Sequence, residues 1–211
     1  GQAAQARALL EQVLERATQP AVASRAGGQL MGLVVEQGQA DASAQVEGLA
    51  LRALERVGDD QPAARDVVRA AVAAQRDLEA WPAAMVWQQR LVDLHATPDE
   101  GRGYALLQLI HLQLDAHPGD PAAAGEGWLQ LLAEAAPLAT PGSHLHDELS
   151  TLQVAWRVLQ AGGEPRILAV LEAAVAGDGQ ANALNAVATR LDAWRQDEAA
   201  AVVRRERERR M

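Results

Sequence analysis

The chain has 211 residues, 49% of them hydrophobic, and a formal net charge of −9. Cys, Lys and Phe are absent and all 19 basic residues are Arg. This excludes disulfides, thiolate nucleophiles, Cys-ligated zinc, Schiff-base lysines and the phosphate loop that depends on a Lys.

No apolar run is long enough to cross a membrane. The negative charge is spread along the chain and disfavours nonspecific contact with phosphate backbones. Missing Cys suits a reducing cytoplasm, and an Arg-only basic set with abundant Ala, Gly and Leu suits a GC-rich genome. The start, GQAAQARALL, has no signal-peptide pattern. Gly rather than Met at position 1 leaves a removed leader or a neighbouring domain open.

Helix formers surround even the Val-rich runs, and no alternating strand pattern stands between hairpin turns. The first predicted helix runs from Gln2 to Ala17, with Leu9, Leu10, Val13, Leu14 and Ala17 as one apolar stripe. Thr18, Gln19 and Pro20 end it. The second reaches about Glu36 with Leu30, Leu33 and Val34 inward. The third starts at Asp41, a natural N-cap, carries Val46, Leu49, Ala50, Ala53, Leu54 and Val57, and stops at Gly58 in left-handed geometry. The fourth starts near Pro62, with Val67, Val68, Ala71 and Val72 inward.

The fifth helix has Pro82 in its first turn and Met85, Val86, Leu91, Val92 and Leu94 as core. Thr97-Pro98 punctuates, and Asp99 and Glu100 favour the next N-terminus. The sixth helix spans about 100–116. Its Leu106, Leu107, Leu109, Ile110, Leu112 and Leu114 surround it and predict burial on several sides. HPGDP is the sharpest break. The seventh helix follows, begins near 121 and holds Trp128, Leu129, Leu131 and Leu132. The eighth starts at Ser143 with Leu145, Leu149, Leu152, Trp156 and Leu159. AGGEP precedes three more helices, at about 165–176, 180–194 and 197–210.

A repeat emerges from the turns. Short polar turns followed by an apolar helix recur, so that second helices begin near 41, 80, 121, 165 and 197. Spacings between about 20 and 50 residues mark stacked supersecondary units. The expected fold is all-α, with about eleven helices arranged as stacked antiparallel hairpins in one domain. Residues 1–20 form a lone helix, 21–196 the hairpins and 197–211 a capping helix. A compact non-repeating helical bundle is the alternative, because Ala-rich helices of similar length look repetitive by composition alone.

From about residue 21 onward the pattern resembles tetratricopeptide-type hairpins. The matching residues are Glu79-Ala80 with Thr97-Pro98-Asp99, and Glu198-Ala199. The family's aromatic and Gly positions in the first helix are not consistently filled here, and the spacing drifts. The resemblance implies an α-solenoid that recognises a peptide or helix, within a larger bacterial regulator.

Candidate chemistry is sparse. His144 and His146 flank Leu145 and precede Asp147, but residues two apart on a helix point in nearly opposite directions, so one ion cannot collect both. The bland reading is a solvated helix start capped by Ser143. His111 and Asp115 share a face one turn apart. A metal or acid–base pair is one reading; a local hydrogen bond, or a place between hairpins, is the other. Gly27, Gly28 and Gly32 lack the strand a phosphate loop needs. They imply close helix approach or a break in the second helix. Trp81, Trp87, Trp128, Trp156 and Trp194 are expected in the core or between hairpins, and any left exposed would mark a binding groove. In RRERERRM the mixed Arg and Glu favour a capping helix, with Ala199, Val202 and Val203 over Leu191 and Trp194, rather than a nucleic-acid arm.

The expected function is a noncatalytic scaffold that binds a protein or peptide, in the cytoplasm, with no cofactor, metal, membrane or nucleic acid. The alternatives are a self-associating structural protein and an enzyme built on His111, Asp115, His144 and His146.

Overall fold

The computed structural model describes residues 2–175 and 180–211. Among these residues there are eleven α-helices, a single 3-10 turn and no strand. The chain is all-α, as its periodicity requires, and within each unit most helices pack on a neighbour in sequence. Contacts gather into two compact units, one ending at Thr97 and the other starting at Pro98.

The first unit contains α1 (Gln2–Arg16), α2 (Pro20–Gln37), α3 (Ala42–Val57), α4 (Gln61–Asp77) and α5 (Trp81–Asp93). Short links make α2/α3 and α4/α5 antiparallel hairpins. α2 also lies along α4, so the first helix of one hairpin stacks on the first helix of the next. That is the solenoid-like element of the arrangement. α1 packs mainly on α2.

Local chemistry sets these boundaries. Asp60 caps α4 by accepting from the Ala63 N–H at 2.9 Å, and Pro62 occupies the first turn. Gly38 ends α2 in the left-handed region, with its N–H on the Val35 carbonyl. Gly27 and Gly28 sit inside an unbroken α2. A Cβ on Gly27 would stand 2.6 Å from the Ala53 Cβ of α3, and one on Gly28 would meet the Ala70 Cβ of α4 at 3.4 Å. Close helix approach is therefore their role. Gly32 faces open space.

Three local expectations change. Asp41 precedes α3 but does not cap it: its carboxylate accepts from the Gln45 side chain at 2.8 Å instead of a backbone N–H. Gly58 has the expected positive φ of 61°, but its ψ of −133° lies outside the left-handed helical region. Val86 is 69% exposed. The buried face of α5 runs through Ala84, Trp87, Gln88, Leu91 and Val92, which fixes a helical register that turns Val86 outward.

The second unit contains α6 (Glu100–Asp115), α7 (Gly127–Ala135), α8 (His144–Ala161), α9 (Glu164–Ala174), α10 (Gln180–Ala193) and α11 (Asp197–Arg210). The hairpins are α6/α7, α8/α9 and α10/α11. α8 also packs on both α6 and α10, and α9 on α11. Asp99 and Ser143 cap α6 and α8 by accepting from the Arg102 and His146 N–H groups. The six large aliphatic residues from Leu106 to Leu114 are all buried, as their spread around α6 demands.

α7 begins six residues later than the expected 121. The Asp120 carboxylate accepts from both the Ala122 and Ala123 N–H groups, and Gly125 takes a φ of 73°, so this segment is spent on turns. The Trp128 indole N–H then donates to the Pro121 carbonyl at 3.2 Å. Trp128 is fully enclosed. It meets Trp156 edge to face at 5.2 Å between ring centroids and Trp194 at 6.2 Å, which makes an aromatic centre for this unit. The expected end of the ninth helix at 176 falls outside the described residues.

Two hairpins turn by the same device. Glu79 and Arg195 both adopt positive φ, near 55°. The Glu79 and Ala80 N–H groups return to the Arg76 and Gln75 carbonyls, and the Arg195 and Gln196 N–H groups return to those of Asp192 and Leu191. These are paired Schellman closures without glycine. By this closure Glu79 is equivalent to Arg195, and the buried Ala84 to the buried Ala200. The equivalence of Glu79-Ala80 with Glu198-Ala199 is therefore displaced by three residues.

Leu91→Ala should cost about 2–5 kcal/mol, the range for a truncated buried Leu. Val86→Ala should change stability by less than about 0.5 kcal/mol. Chemical denaturation of both variants checks the register of α5. Similar costs at the two positions would contradict it.

Candidate functional site

The sequence singled out His111, and the fold surrounds it with groups that sequence proximity did not suggest. α8 stacks on α6 and on α10. This brings the charges of Glu148 on α8 and Arg190 on α10 to bear on His111 of α6. Arg190 and Glu148 form an ion pair at 3.5 Å. No hydrogen bond joins His111 to Asp115; the imidazole lies between stacked first helices, the second of the two bland expectations.

The Nε2 atom of His111 is enclosed and has no hydrogen-bond partner among the described residues. Burial pushes the imidazole pKa down from its ordinary 6.5, and the Arg190 charge pushes the same way. Glu148 and Asp115 oppose the shift more weakly. The folded chain thus favours a neutral ring.

His144 and His146 are exposed at the start of α8. His144 stands 6.5 Å from the Tyr104 ring, whereas the His146 Nδ1 approaches the Asp147 carboxylate at 3.6 Å. The fold does not converge them, and no group of three potential metal-ligating side chains occurs among the described residues. Of the five tryptophans, Trp87, Trp128 and Trp194 are buried and Trp81 and Trp156 half-buried, so none marks an open groove.

The C-terminal helix is tied to its own unit. Its buried face is Ala200, Val202, Val203 and Glu206. Ala199 is half-buried, one position away from the expected register. Arg204 pairs with Asp192, Arg205 with Glu164 at 3.0 Å and Arg207 with Asn185 at 2.7 Å. Arg210 donates to the Val175 carbonyl and to Gln180. Hydrogen bonds from Arg209, and then from Arg210, hold the Glu206 carboxyl at about 2, against an ordinary 4.5. Every Arg of the terminal run has a partner within the fold.

The surface with unsatisfied apolar groups lies elsewhere. Of the stripe on α1, only Leu14 is buried. Leu9 is 62% exposed and Val13 42%, and Val22 on α2 is 40% exposed beside them. Together with Gln12, Arg16 and Ala17 they border a hollow of about 480 Å³ between α1 and α2. The amphipathic pattern correctly identified the stripe. It could not show that no helix among the described residues covers it.

No family model matches the chain, and no curated protein matches it. Among solved structures, BtubC (BKLC) from P. vanneervenii is similar over 98% of this chain and 90% of its own length, with 13% sequence identity and a TM-score of 0.48.

A neutral, half-buried His111 with an enclosed Nε2 makes stability fall with acid. The unfolded chain takes up the proton near the ordinary pKa of 6.5, whereas the folded chain resists it down to the lowered value. The contribution is complete above 6.5 and is lost progressively as pH falls through that window. Thermal unfolding between pH 7.5 and 5 should therefore show a smaller drop in Tm for His111→Leu than for the parent chain. Identical drops would contradict the burial of the imidazole.

Proposed function

We propose that the chain is a noncatalytic protein-interaction scaffold, built from helical repeats of the tetratricopeptide type. The observation that supports this reading is the succession of helical hairpins whose first helices stack, α2 on α4 and α6, α8 and α10 in turn. Stacked hairpins give continuous helical faces whose side chains are free to meet a protein or peptide segment. The net charge of −9 and the internal pairing of the terminal arginines favour a protein partner over a nucleic acid.

A bacterial, cytoplasmic setting within a larger regulator belongs to the same proposal. Its supports are the lack of Cys and the Arg-only basic set. No helix among the described residues is long and apolar enough to cross a membrane.

The test is affinity capture from the native host, followed by reconstitution with the captured protein purified separately. A complex of defined stoichiometry between the two pure chains is expected. A chain that binds no protein and instead turns over a small molecule in a substrate screen would contradict the reading.

A further inference from the structure

Three first helices, α2, α6 and α8, do two jobs. Each forms a hairpin with the second helix that follows it and packs on the first helix of the next hairpin. Where the second helix also packs on that next first helix, the earlier first helix covers the furrow between them. α2 covers the furrow of α3 and α4, and α6 covers that of α7 and α8.

α1 and α2 form a third furrow of the same kind. α1 holds the second-helix place beside α2, and the two pack closely. No helix among the described residues lies over this furrow. Its walls carry Leu9 and Val13 from α1 and Val22 from α2, all exposed. Single exposed aliphatic residues are ordinary on a protein surface. Three of them around one hollow, at the place that a helix occupies twice elsewhere, are not explained by that norm.

Charge narrows the occupant. The residues bordering this hollow and its continuation along α2 include Arg16 and Arg25 and no carboxylate. Arg16 and Arg25 make no ion pair among the described residues, while the nearby Arg7 is paired with Glu11. In a chain with net charge −9, a furrow with two unpaired guanidinium groups and no carboxylate on its border is a local exception.

We propose that the α1/α2 furrow seats an amphipathic α-helix from a partner protein, with a Leu- and Ala-rich face against Leu9, Val13 and Val22 and carboxylates toward Arg16 and Arg25. The covering helices already in the fold supply the geometry, and the unpaired arginines supply the sign of the partner's flank. This rests on the interaction reading above and assigns it a surface.

The chain has no Cys, so Val13→Cys gives a single labelling position for an environment-sensitive fluorophore. The probes are two synthetic helical peptides with the same Leu/Ala face, one flanked by Glu and the other by Lys. The Glu-flanked peptide should shift the emission and saturate. The Lys-flanked peptide should bind at least about fivefold more weakly, and Arg16→Glu with Arg25→Glu should reverse that preference. Leu9→Asp with Val22→Asp, carrying the same label, should weaken the Glu-flanked peptide about tenfold or more, with far-UV circular dichroism unchanged because both side chains are exposed. Absence of saturable binding by either peptide, or equal binding of both, overturns the proposal. A labelled chain whose emission shifts with its own concentration, in step with dimers by sedimentation, assigns the furrow to a second copy and also overturns it. If a captured partner still binds Leu9→Asp/Val13→Asp protein undiminished, the furrow assignment fails while the scaffold reading stands.

Discussion

The first unit depends on one close approach. α2 lies against α3 at Gly27 and against α4 at Gly28, and only a residue without a Cβ fits the first of these contacts. Any side chain at Gly27 meets the Cβ of Ala53, an atom fixed to a helix backbone that cannot swing aside. The approach brings α2 within reach of α3 and α4 together, and this double contact stacks one hairpin on the next. The glycine is conformationally costly in a helix, about 1 kcal/mol relative to Ala, and the packing it permits offsets that cost. The second unit uses a softer version. A Cβ on Gly103 of α6 would crowd the δ-methyl of Leu145 on α8, the end of a side chain that can change rotamer. There the burden shifts to Trp128, which joins α7 to Trp156 on α8 and to Trp194 at the end of α10.

α11 and α1 treat their outer surfaces differently. The buried face of α11 is small, and its arginines reach back to Asp192, Glu164, Asn185 and the Val175 carbonyl. Burying Glu206 is tolerable because three hydrogen bonds from Arg209 and Arg210 compensate its lost hydration. α1 reaches back only through Arg7, to Gln37 and Gln45. Its Leu9 and Val13 face outward next to α2, and its Arg16 has no acidic partner among the described residues.

Much of this was legible in the sequence, and the exceptions have physical causes. Helix positions followed from periodicity and from Pro62, Pro82, Asp99 and Ser143, because helix-start signals act within one turn of the chain. The starts of four of the five second helices followed from the short polar turns before them. α7 escaped because Asp120 satisfies backbone groups in a turn as readily as it would in a helix start, and only tertiary contact selects between the two. Val86 was misplaced because apolarity does not specify which of several possible faces a helix turns inward. Trp87 and Leu91 decide that face, and the buried Gln88 conceals it from a hydrophobicity reading. The surroundings of His111 were invisible for another reason. Glu148 and Arg190 lie 37 and then 42 residues further on, in successive first helices. Aligning the hairpins on their first helices rather than their second would have placed the three residues together. The exposure of Leu9 and Val13 has no local signature, since apolar spacing marks a stripe and not what lies against it.

The most direct measurement of the stacking constraint is a matched pair of substitutions in α2. Gly27→Ala adds a methyl group at the Ala53 contact, whereas Gly32→Ala adds the same group in open space. Equilibrium unfolding should show Gly27→Ala destabilised by about 1–3 kcal/mol through overpacking. Gly32→Ala should be stabilised by about 0.5–1 kcal/mol through helix propensity alone. If both variants gain stability alike, α2 does not approach α3 at Gly27, and the stacking of the first unit is wrong.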